Sequence, residues 1–149
     1  MKMNTNELHA YIQGPDTTAV IKWIKTVITN LERKEIVDQT EEIGRLLLKF
    51  VGKYELLILE QLVDTGWLEL TIRPKAPDSI FTEWDNIQLG ERLVDDLGGI
   101  TLVDCSGIYA DPLAPYNVRI SEDKMELVEL PDEIGDAFDE KRTQLIRRR

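Results

Sequence analysis

Cys105 is the chain's single thiol and His9 its single imidazole. With Asp104, which precedes the cysteine, they are the residue types of a thiolate nucleophile, an activating base and an orienting carboxylate. Cys105 closes an apolar run, Ile100 to Cys105, and His9 lies in another strand-like run, so pairing of these strands would bring the two side chains towards each other. The electrostatics oppose such chemistry. A reactive thiol needs a base or a positive environment to lower its pKa from about 8.5, whereas surrounding carboxylates raise it. No glycine-rich oxyanion loop follows. The expectation is a buried, inert cysteine, and no residue is assigned as catalytic.

The other candidates are carboxylate pairs: Glu83 with Asp85, Asp95 with Asp96, and Asp104 with Asp111. Hard cations take oxygen ligands of this kind, but none of the pairs has the spacing of a cation loop around a central glycine. In so acidic a chain, adjacent carboxylates read as solvated surface. Phosphate loops, dinucleotide fingerprints, zinc-protease helices and serine elbows are all missing, and Gly98-Gly99 follows a helix rather than opening one. No metal and no cofactor is assigned.

Charge says more. The chain carries 28 acidic side chains against 18 basic ones, a formal charge of -10 over 149 residues. Such a field repels phosphate backbones and anionic headgroups over about 10 Å at ordinary salt. Nucleic acid and membrane are therefore not the expected partners, and a basic protein is. Between Glu122 and Glu140 nine acids face Lys124 alone, and Lys141, Arg142 and Arg147 to Arg149 follow. This block reads either as a solvated helix whose cationic last turn complements its dipole, or as an acidic contact surface built from Glu126, Glu129, Asp132 and Glu133. Trp67 shares a strand face with Glu69, Thr71 and Arg73. If exposed there, it has the makeup of an interface anchor.

The elements that must position these residues follow from periodicity. Glu7 to Gln13 alternates, with Leu8, Ala10 and Ile12 on one face and Glu7, His9, Tyr11 and Gln13 on the other, as in a half-buried strand. After Gly14-Pro15, the residues Val20, Trp23, Ile24, Val27, Ile28 and Leu31 recur at helical spacing behind a cap at Asp16 or Thr17. A polar connection is expected over Lys34 to Glu42. A meander should follow: Arg45 to Val51, a Gly52-Lys53 turn, Tyr54 to Leu62, and Trp67 to Arg73. A second helix over Phe81 to Leu97 carries Trp84 on its apolar pattern and stops at Gly98-Gly99. Ile100 to Cys105 is an apolar strand expected beside the first. Ser106 to Pro115 is loop, and Asn117 to Ser121 with Met125 to Leu130 forms an edge hairpin. Pro131 then opens a last helix with Ile134, Phe138, Leu145 and Ile146.

The expected class is α+β, one domain over residues 1–149, with a mostly antiparallel sheet and helices on one face. A ferredoxin-like split βαβ core is expected in the first 105 residues. With 42% hydrophobic and 31% charged residues the composition is globular. One cysteine makes no internal disulfide, and there is neither a secretory leader nor an apolar run of membrane-spanning length. The expected location is the cytoplasm.

In size, acidity and reducing location the chain is similar to small bacterial immunity and inhibitor proteins, a resemblance of composition that covers no signature residues. It implies a non-enzymatic protein that neutralises a basic toxin. The alternatives are a small-molecule-sensing domain with a pocket between the sheet and the loop Ser106 to Pro115, and an enzyme using Cys105 and His9.

Overall fold

The structure is a computed structural model, which describes residues 7–27, 31–40, 45–61, 66–75, 78–104, 116–129 and 142–149; of 31–40, 45, 46, 104, 116, 117, 129 and 142–144 only the backbone is described. Nine strands and two α-helices alternate along these residues: β1 (Leu8–Gln13), α1 (Thr17–Val27), β2 (Leu31–Thr40), β3 (Arg45–Gly52), β4 (Glu55–Gln61), β5 (Trp67–Pro74), α2 (Asn86–Leu97), β6 (Ile100–Asp104), β7 (Tyr116–Ile120), β8 (Lys124–Glu129) and β9 (Arg142–Arg148). All nine join one sheet in the order β2-β3-β4-β5-β1-β6-β7-β8-β9, and every ladder is antiparallel. The class is α+β. The expected pairing of β6 with β1 holds, with Tyr11 opposite Leu102.

The alternation seen in β1 decides which face meets the helices. Leu8, Ala10 and Ile12 are buried, and the register sets them opposite Ile72, Leu70 and Leu68 of β5. Leu57 and Leu59 of β4 and Leu48 and Phe50 of β3 extend the same row. Val20, Trp23 and Ile24 of α1 and Leu89, Leu93 and Val94 of α2 close over it as one apolar core. The helices are joined to each other by a hydrogen bond as well, since Trp23 Nε1 donates to Asp96 Oδ2 at 2.8 Å. Trp23 is therefore the expected core residue.

Helix α2 begins at a capping box in which Asp85 accepts from the Gln88 N–H while the Gln88 side chain accepts from the Asp85 N–H. The expected single helix from Phe81 is broken at this cap. Ile80–Glu83 is a 3-10 turn, and Trp84 sits in the break, partly buried and edge-to-face with Phe81 at 5.0 Å. Gly90, which weakens a helix by propensity, is what lets α2 lie close to the sheet. A Cβ there would come within 2.7 Å of Ile120 Cδ1 and 2.9 Å of Thr101 Oγ1.

Other expectations are corrected. Residues Leu31–Thr40 form an edge strand rather than the end of α1 and a polar connection; α1 is described over Thr17–Val27, and Ile28 lies outside the described residues. An edge strand is held by backbone pairing on one side and tolerates charges such as Glu32, Arg33, Lys34 and Glu35, so no apolar alternation announced it. The hairpin turn is Lys53-Tyr54, one residue later than expected, with β3 ending at Gly52, β4 beginning at Glu55 and Val51 opposite Leu56. Leu145 and Ile146 lie on strand β9, not on a helix. Because β9 pairs outside β8, the β7–β8 hairpin is interior to the sheet and not its edge. Among the described residues no helix is long and apolar enough to cross a membrane.

Candidate interaction site

The face of the sheet turned away from the helices carries the polar residues of β1 and β5. Strand register places Glu60, Glu69, Tyr11, Leu102, Arg119 and Glu126 in one row across β4, β5, β1, β6, β7 and β8. His9 Nε2 lies 2.7 Å from Glu69 Oε1, and its ring meets Tyr11 edge-on at 4.8 Å. Burial pushes the Tyr11 hydroxyl up to about 12, and the negative charges of Glu69 and Glu60 add to the shift. The His9 backbone N–H leaves the ladder and donates to Asn86 Oδ1 of α2 at 2.9 Å. One imidazole thus rests on a carboxylate, in a setting that disfavours further negative charge.

At the other end of the row Arg119 Nη2 donates to Glu126 Oε1 at 2.6 Å, with Lys124 Nζ at 3.4 Å. Burial raises the Glu126 carboxyl, but the hydrogen bond and charge of Arg119, helped by Lys124, outweigh it and hold the group below the usual carboxylate range. Between the two ends, Trp67, Leu102 and Val128 form a second apolar cluster with Tyr11 and Ile100.

These positions correct two expected contact residues. Trp67 is 5% exposed, so it is part of a core cluster and not an exposed anchor. Glu126 is 7% exposed and bound to Arg119, so it is not a surface carboxylate waiting for a partner. The period-two pattern that sets Glu126 and Val128 on one face was readable, but what lies against that face was not. Glu129 is on β8, its side chain outside the described residues, and Asp132 and Glu133 lie outside them altogether. The loop Ser106 to Pro115 also lies outside them.

Cys105 is outside the described residues too, and His9 is engaged by Glu69. Of the carboxylate pairs, Asp85 serves as the cap of α2, Asp96 accepts from Trp23 and Arg92, and Asp95 accepts from Arg149. Among the described residues no group of three or more His, Cys, Asp or Glu could hold a metal ion.

A patch missed by the sequence reading lies at the C-terminal end of α2. Glu91 and Asp95, one turn apart, receive Arg147 of β9 and Arg149, the residue that follows it, both at 2.5 Å. Glu122 and Asp123 are exposed in the neighbouring β7–β8 turn. The i, i+4 spacing of the acids and the i, i+2 spacing of the arginines were visible, but only the fold brings helix and strand together. Compared with family models, curated proteins and solved structures, the chain finds no match in any of the three.

Proposed function

We propose that this chain is a non-enzymatic protein-binding protein that neutralises a basic partner, most concretely an immunity or inhibitor protein of a basic bacterial toxin, acting in the cytoplasm. The observation that carries the proposal is the charge of -10, taken with the way the chain uses its own cations. Of the six arginines with described side chains, Arg73, Arg92, Arg119, Arg147 and Arg149 are turned onto the protein's own carboxylates. The net negative field is thus left for a partner of opposite sign, whose association it accelerates. The proposed contact residues are Glu129, Asp132 and Glu133, with Glu126 and Trp67 removed from the set by their burial. We read β4-β5-β1-β6, with α1 and α2 as connections, as a ferredoxin-like split βαβ core extended on both sides.

The test is titration of the purified protein against the product of the adjacent gene. A stoichiometric complex that abolishes the partner's activity, and is lost on joint replacement of Glu129, Asp132 and Glu133 by glutamine, is the expected result. No complex with any basic protein, together with saturable binding of a metabolite, would replace the proposal by a sensory domain.

A further inference from the structure

The C-terminal strand is held to the molecule in an unusual way. Its backbone pairs with β8 from Lys124 opposite Arg148 to Glu129 opposite Arg142, and of its described apolar side chains Leu145 is 48% exposed and Ile146 only partly buried. What fixes its end is charge. Arg147 Nη2 donates to Glu91 Oε2 at 2.5 Å, Arg149 Nη2 to Asp95 Oδ1 at 2.5 Å, and Arg149 Nε lies 3.5 Å from Glu91. Arg149 also donates through Nη1 to the Ser121 carbonyl at 2.6 Å and through its backbone N–H to the Asp123 carbonyl at 2.8 Å. Its side chain is 8% exposed, the most enclosed of these charges.

The receiving surface needs such a cation. Helix α2 carries Asp95 and Asp96 in its last turn and no basic residue there, the wrong sign for the partial negative charge of a helix C-terminus. Arg92, one turn back, neutralises Asp96, and the guanidiniums from β9 neutralise Glu91 and Asp95. If β9 left, Glu91, Asp95, Glu122 and Asp123 would lie together as unneutralised acids at the C-terminal end of α2, next to an open β8 edge.

We infer that β9 is a displaceable arginine strap that shields an acidic docking surface on α2 and the β7–β8 turn, and that the occupant which displaces it is an extended basic segment of a partner protein with cations at alternate positions. The inference deepens the reading of the chain as a binder of a basic protein by naming the surface and the shape of the ligand. Recognition would copy the internal contact: two cations two residues apart at the end of a strand, seated on two carboxylates four residues apart on a helix.

The probe is a labelled synthetic peptide of this chain's own residues 142–149, added to the full-length protein and to the Arg147→Gln/Arg149→Gln variant, with backbone hydrogen exchange followed on both. In the variant β9 amides should exchange about tenfold faster while β1 and β5 keep their protection, and the peptide should bind about tenfold more tightly than to the unaltered chain. In the unaltered chain, raising salt from about 0.05 M to about 0.5 M should loosen β9 selectively. Unchanged β9 exchange in both arms, or a loosened β9 with no gain in peptide binding, would overturn the strap. No toxin enters this experiment, so its failure leaves the inhibitor proposal to its own test.

Discussion

The centre of the sheet and its C-terminal margin are built from the same antiparallel pairing but held by different forces. At the centre, Ala10, Leu70 and Ile72 meet Val20, Ile24 and Leu89 with none of their surface exposed. At the margin, β8 adds Met125 and Val128 to the apolar clusters, and the ion pairs Arg119–Glu126, Arg147–Glu91 and Arg149–Asp95 supplement the backbone ladders that hold β8 and β9. Apolar burial involves no charge to be screened or protonated, whereas ion pairs weaken as ions screen them and as carboxylates protonate. Solution conditions can therefore separate the two regions.

The comparison breaks most heavily at the centre. Leu70→Ala removes a wholly buried side chain between β1 and β4 and should cost about 2 to 5 kcal/mol, measured as a shift of the urea midpoint. That loss should be the same at low and high salt.

Glu126→Gln probes the margin. It leaves Arg119 with a neutral partner in a largely buried site and should cost about 1 to 3 kcal/mol at neutral pH. The Glu126 carboxyl is held below its ordinary 4.5, so its stabilisation is present above that value and is lost as pH falls through the lowered folded-state pKa. The difference between variant and unaltered protein, followed by urea unfolding from neutral to acidic pH, should shrink over that window and be constant above it.

A smaller effect is expected at Tyr11, on the sheet face turned away from the helices. Tyr11 titrates near 12 instead of 10.0, so the neutral phenol's contribution to stability is complete below pH 10.0 and disappears as pH rises through about 12. Glu69→Gln should bring the Tyr11 midpoint down only part of the way, because burial is the larger cause and Glu60 remains. Ultraviolet difference titration of the phenolate reads this directly, and stability at neutral pH should change by less than about 1 kcal/mol.

The covered face was legible in the sequence because its signal is local. Leu8-Ala10-Ile12, Leu68-Leu70-Ile72 and Val20-Trp23-Ile24 each announce their element by spacing alone, and together they gave an antiparallel sheet with two helices. Strand β2 was not legible, since an edge strand full of charges has no apolar period. Strand β9 was misread as helix because Ile134, Phe138, Leu145 and Ile146 can be threaded on a helical period, while the contacts that hold Arg147 and Arg149 come from residues more than fifty positions away. Trp67 failed for the same reason: alternation assigns a side chain to a face but does not say whether that face is covered.

The association rate of this protein with the proposed basic partner, measured at about 0.05 M and about 0.5 M salt, tests the central claim most directly. Steering by the field of the -10 chain predicts a rate about tenfold or more lower at the higher salt, with the dissociation rate changing much less. Tight binding at a salt-independent rate would contradict the claim that charge selects the partner, and no binding at either salt would contradict the claim that such a partner exists.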